Sequence, residues 1–188
     1  VFKDKSTLIY NDFKIKTTQE LLDSPDVEDQ FNLQYKFGTI NDAGRYRNED
    51  FFKKIYGNSQ KEVEQKLVEI IWCPKLVNQK IKVTTVNGID KKLQKISSEL
   101  DNLPEFKKYI TNIGGTFNWR KIAGTNRLSM HSFGMTIDIN VKYADYWQWN
   151  CNCKNENSKL NYQNKIPLKI VQIFEKQGFI WGGNWSHY

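Results

Sequence analysis

The stretch that most constrains this chain is a strict alternation that begins just after a glycine. Met135, Ile137, Ile139 and Val141 alternate with Thr136, Asp138 and Asn140 behind Gly134. A period of two predicts a strand with one buried face, which puts Asp138 on the open face of a sheet. His131 precedes Asp138 by seven positions. At roughly 3.3 Å per residue an extended chain would hold the two side chains more than about 20 Å apart. Gly134 tolerates backbone angles that other residues avoid, so a turn there brings His131 back beside Asp138. A converging imidazole and carboxylate are two of the three protein ligands of a catalytic zinc centre. A structural role is open too: a lone His beside a strand is commonly a hydrogen-bonded scaffold residue. A half-buried Asp, however, needs a partner.

The rest of the chain predicts an α+β domain of 188 residues, long enough to bury a core. Residues 1–45 read as an irregular arm packed on the main domain, and residues 46–188 as the domain that carries the site. In the arm, 8–10 and 13–15 suggest short strands. Asp23-Ser24-Pro25-Asp26 suggests a turn, and the aromatic alternation of 31–37 a further strand. Asn48 opens a helix closed by Gly57. Ser59 and Glu62 have capping-box spacing ahead of a helix carrying Val63, Leu67, Ile70 and Ile71 up to Pro74. Residues 81–86 read as a strand, followed by a helix with Ile89, Leu93, Ile96 and Leu100 inward. A short helix after Leu103 ends at a Gly114-Gly115 turn, and 116–120 enters the site as a strand. Pro167 and Gly178 bracket a last helix, and 179–181 a last strand.

With 39% hydrophobic and 26% charged residues the chain is neither disordered nor membrane-spanning in pattern, since no apolar run approaches about 20 residues. The chain begins at Val1 without a hydrophobic leader, which suits a mature or trimmed secreted protein. Its net charge of +7 favours an anionic partner. The lysines are scattered rather than gathered in a basic arm, which argues against nucleic acid. Cys73, Cys151 and Cys153 are too few for a disulfide framework; one bridge or three free thiols are both open.

The run Ser129-x-His131-x-x-Gly134-x-Thr136-x-Asp138 resembles the S-x-H-x-x-G-x-A-x-D signature of the VanY-like zinc peptidases. That family comprises D-alanyl-D-alanine carboxypeptidases and L-alanyl-D-glutamate endopeptidases of the bacterial cell wall. The similarity extends through 114–120, through Tyr146, Trp147 and Trp149, and through 178–185, so that it covers roughly residues 83–188. Thr136 replaces the family's Ala.

The resemblance implies a small antiparallel sheet flanked by helices, with a Zn2+ site on the open face of the sheet. It implies His131 and Asp138 as metal ligands. Arg120 matches the family's arginine that binds substrate and stabilises the tetrahedral intermediate, and a guanidinium suits two-point binding of a carboxylate or oxyanion. Arg127 and Ser129 are candidate substrate-binding residues. In the family a segment like 185–188 is followed by an Asp-x-x-His element that supplies the general base and the third ligand. The sequence ends at Tyr188, so both are expected beyond it; a form lacking them is the other possibility, with His187 as a substitute ligand. Trp147, Trp149, Trp181 and Trp185 are expected near the site, at least two of them buried.

The function implied is zinc-dependent hydrolysis of peptidoglycan stem peptides by a monomer outside the cytoplasm. The carboxypeptidase and endopeptidase forms are both open. A non-catalytic peptidoglycan-binding module with a degenerate peptidase fold is the alternative. A basic nucleic-acid binder ranks last, because it leaves the signature unexplained.

Overall fold

The computed structural model describes residues 2, 4–31, 43–144 and 164–185. The architecture is α+β, with two antiparallel sheets of two strands each among the described residues, where a single sheet was expected. No helix among them is long and apolar enough to cross a membrane.

In the arm, residues 8–10 and 13–15 form no strand; its described residues include helix α1 (Thr18–Asp23) and a 3-10 turn (Asp29–Phe31). Thr17 and Glu20 close a reciprocal capping box there, the Glu20 carboxylate accepting the Thr17 N–H at 2.8 Å. Helix α2 (Glu49–Tyr56) starts as expected, with Asn48 Oδ1 accepting the Phe51 N–H at 3.0 Å, and ends at Gly57. Helix α3 (Gln60–Glu64) is capped by Ser59, whose Oγ accepts the Glu62 N–H at 3.3 Å.

The long helix expected through residue 71 is wrong. The chain leaves α3 and runs as strand β1 (Leu67–Trp72), paired with β2 (Gln79–Thr84). Val63, Leu67, Ile70 and Ile71 have helical spacing, but 67–72 is also a β-branched, aromatic run with a partner strand within reach. Pairing therefore overrides the local pattern. Helix α4 (Ile89–Leu100) covers this hairpin and presses the fully buried Leu93, Ile96 and Leu100 onto Ile70, Trp72, Ile81 and Val83. Each such side chain contributes about 1.5–3 kcal/mol on leaving water. Trp72 is also fully buried and donates its indole N–H to the Ile110 carbonyl at 3.0 Å. The buried Cys73 is a free thiol whose pKa burial pushes up to about 12. Helix α6 (Leu168–Glu175) packs on α4 through a face that includes Ile170, Val171 and Ile173.

The second sheet carries the signature. Helix α5 (Lys107–Ile110) leads into β3 (Ile113–Gly115), which pairs with β4 (Asp138–Asn140). Three expectations fail here. Gly114 and Gly115 lie in a strand rather than a turn. Residues 116–120 form no ladder, and β4 is three residues long rather than seven. Asn140 belongs to the alternation's polar set yet is buried, because its Nδ2 donates to the Lys108 carbonyl at 2.8 Å and its Oδ1 accepts the Lys142 N–H at 3.2 Å. The strand expected at 179–181 is absent, and a 3-10 turn (Gly182–Asn184) follows it. The expectations for 32–37, Trp147, Trp149, Cys151, Cys153 and His187 lie outside the described residues.

Candidate functional site

Gly134 is where the chain reverses between His131 and Asp138. It sits at φ +63°, and a Cβ there would lie 2.6 Å from Leu67 Cδ2. Its carbonyl accepts the Thr84 N–H at 3.0 Å. The turn is therefore bonded to the open end of the β1–β2 hairpin, where Leu67 faces Thr84. Only glycine meets both the left-handed backbone and the close approach.

Before it, the 3-10 turn Met130–Phe133 turns three of its four side chains inward. Met130, Ser132 and Phe133 are buried, and His131 is left half-buried at the surface. Phe133 is locked among the rings of Phe52, Tyr56 and Trp119. The Ser132 hydroxyl accepts the Arg120 N–H at 3.0 Å and lies 3.0 Å from the Arg120 carbonyl as donor. Further backbone bonds run from Asn118 N to the His131 carbonyl and from Ser129 N to the Arg120 carbonyl. Residues 118–121 are thereby tied alongside 128–132, although they form no regular strand.

These constraints bring the two predicted ligands together. His131 Nε2 lies 3.2 Å from Asp138 Oδ2, with the imidazole largely covered and the carboxylate half exposed. His131 Nδ1 lies 2.8 Å from the Thr116 carbonyl, which only accepts, so Nδ1 carries the hydrogen. Thr116 follows directly on β3, and Gly115 of β3 pairs with Asp138 of β4. One short ladder thus aims both groups. Gly114 makes the room: a Cβ there would stand 3.1 Å from Asp138 Cβ and from Val141 Cγ1. The functional part of Thr116 is a backbone carbonyl, which side-chain motifs do not register; the adjacent Gly114-Gly115 pair was the available signal.

In the protein without metal, Nε2 must also carry a proton to bond the carboxylate. Burial works against that charge, but the hydrogen bond and charge of Asp138, helped by the Thr116 carbonyl, win and raise the His131 pKa above its ordinary value. The same arrangement suits a metal. Two donors about 2.0–2.1 Å from a tetrahedral zinc ion stand roughly 3.3 Å apart, close to the separation found. A metal-bound imidazole commonly donates its other N–H to a carbonyl, as Nδ1 does here. Among the described residues no three His, Cys, Asp or Glu side chains gather into a metal-binding group, so the pair accounts for two corners only.

Arg120 is exposed, and among the described residues its guanidinium makes one long bond, 3.4 Å, to the Lys121 carbonyl. Its charge reaches His131, where it opposes protonation. Ser129 is buried and caps the 3-10 turn, its Oγ accepting the His131 N–H at 3.4 Å. Arg127 faces the arm: its Nη1 bonds the Leu22 carbonyl and its Nε lies 3.3 Å from Asp23 Oδ1. Trp181 and Trp185 are half-buried.

Residues 123–188 match the profile of a family described as D-alanyl-D-alanine carboxypeptidase. The match takes in Ser129, His131, Gly134 and Asp138, and leaves outside it the part of the resemblance read in 83–122. No curated protein and no solved structure matches the chain.

Proposed function

We propose that this protein is a zinc-dependent peptidase that hydrolyses the stem peptides of peptidoglycan, outside the cytoplasm where that polymer lies. The observation that carries the proposal is the 3.2 Å approach of His131 to Asp138, made from residues seven apart by the Gly134 turn. The peptidase-family match over 123–188 supports it.

In this reading His131 Nε2 and Asp138 Oδ2 hold the metal, and Thr116 fixes the imidazole in the tautomer that exposes Nε2. Zinc, when bound, supplies a Lewis acid that polarises a carbonyl and renders a water acidic near neutral pH. Asp138 brings a full negative charge to the site, which makes a separate carboxylate base more important than in an all-histidine site. Arg120 is uncommitted enough to meet the charge that develops on the scissile carbonyl oxygen, and its planar fork suits an oxyanion or carboxylate. Ser129 orients His131 from beneath. Arg127 ties the site segment to residues 22–23.

The test is incubation of the zinc-loaded protein with two peptides, one ending in D-Ala-D-Ala and one containing L-Ala-D-Glu. Cleavage of either, lost on chelation and in Asp138→Ala, is expected, and the peptide cut identifies the reaction form. Retention on purified peptidoglycan with no cleavage of either peptide would replace the enzyme with the non-catalytic binder.

A further inference from the structure

Away from His131 and Asp138, three arginines converge on one cavity. Arg45, Arg47 and Arg127 line a space of about 280 Å³ together with Asp23, Glu49 and Met130. Both carboxylates there are already engaged. Asp23 Oδ1 lies 3.3 Å from Arg127 Nε. Glu49 pairs with Lys53 Nζ at 2.6 Å and accepts the Leu128 N–H at 2.6 Å.

Arg47 stands apart from its neighbours. Among the described residues it makes no hydrogen bond or ion pair, and its contact is the face of Trp185, 5.7 Å from ring centre to guanidinium carbon. Arg45 lies 5.6 Å from the same ring. Trp185 is itself fixed, its indole N–H donating to the Ala43 carbonyl at 3.0 Å. Burial, and then the charges of Arg45 and Arg127, pull the Arg47 pKa down to about 10, so it stays charged at neutral pH. Arg47 is half-buried; a cation crowded by two others with no anion of its own costs stability, and a ring face only partly offsets that cost. Breaches of this kind are expected at functional sites, where a ligand can supply the missing charge.

We infer that this cavity binds the carboxylate of a small ligand or chain end, with Arg47 as the principal contact and Trp185 as its backing. A guanidinium fork against an aromatic face is suited to two-point binding of a planar carboxylate. The volume is at the small end of ligand pockets, which fits a terminal acid group with a few attached atoms. The inference goes beyond the peptidase assignment and stands without it, because neither metal nor hydrolysis enters.

The experiment is thermal unfolding of the metal-free protein and its Arg47→Met variant, with acetate or inorganic phosphate added and ionic strength held with sodium chloride. Without acetate, the variant is expected to melt at or above the parent, since it no longer places an unpaired charge beside Arg45 and Arg127. Acetate at ten times its Kd should raise the parent's melting temperature by about 3–6 °C and leave the variant unmoved. Arg47→Lys, which keeps the charge but loses the fork, should respond weakly. In the parent, acetate should also shift the Trp185 indole resonance to saturation. A variant that melts several degrees lower, or fails to fold, would make Arg47 a structural residue and overturn the inference. So would an equal acetate response in parent and variant, no response in the parent, or a response to phosphate alone.

Discussion

His131 Nε2 and Asp138 Oδ2 stand 3.2 Å apart although an extended chain would separate them by more than about 20 Å. The Gly134 turn closes that distance, and the β3–β4 ladder with its adjoining Thr116 carbonyl sets the angle at which the groups meet. The site depends on a few backbone constraints, each of which can be removed singly.

The first constraint is Gly134. Gly134→Ala forces a side chain into a left-handed position and toward Leu67 Cδ2, 2.6 Å from the new Cβ. The backbone term is about 1–2 kcal/mol and the overpacking about 1–3 kcal/mol, so a loss of about 2–5 kcal/mol is expected in denaturant unfolding. Zinc affinity should fall with it. Unchanged stability would mean the turn relaxes at no cost.

Thr136 offers the opposite sign. Its Oγ1 is buried without a hydrogen-bond partner among the described residues. Thr136→Val keeps the shape and removes the unsatisfied hydroxyl, so it should stabilise the protein by about 1 kcal/mol. A destabilised variant would show that the hydroxyl is satisfied in solution.

The protonation of His131 links the site to pH. Its pKa in the metal-free protein is raised: burial opposes the charge, and the bond to Asp138 outweighs burial. A raised folded value gives stability that is fully present below the unfolded value, near about 6.5, and is lost as pH rises through the folded value. Zinc needs the neutral imidazole and competes with that proton, so affinity should fall as pH drops through the folded value. Titration of the His131 ring by NMR should show Asp138→Asn lowering its pKa; an unchanged value would remove Asp138 as the cause.

Arg120 is predicted to act on the reaction and not on the scaffold. Arg120→Ala should lower kcat/KM by about 10²–10³, as loss of an oxyanion partner does elsewhere, with zinc content and melting temperature unchanged. A loss of zinc or of several degrees in melting temperature would instead make the residue structural.

Much of this was legible in the sequence where one local rule governs. Ile89, Leu93, Ile96 and Leu100 face inward because a single helix period decides them, and Asn48 and Gly57 bound α2 through cap chemistry alone. Residues 67–72 were misread because helical spacing and strand propensity coexist there, and only the distant partner 79–84 decides between them. The reversal at Gly134 was legible because a glycine between two chemically matched side chains suggests its own reason. The Thr116 carbonyl was not, because any residue carries one. Nor was Arg47 singled out, since its distinction is that among the described residues it has no ion pair, the nearby carboxylates of Asp23 and Glu49 being committed to Arg127 and Lys53, and the chain does not show which partner an acid takes.

Zinc content of the purified protein, measured beside Asp138→Ala after dialysis against trace zinc, tests the account most directly. About one equivalent in the parent and little in a variant that remains folded is the predicted result. Equal zinc in both, whether one equivalent or a negligible amount, would contradict the claim that these two side chains hold a metal.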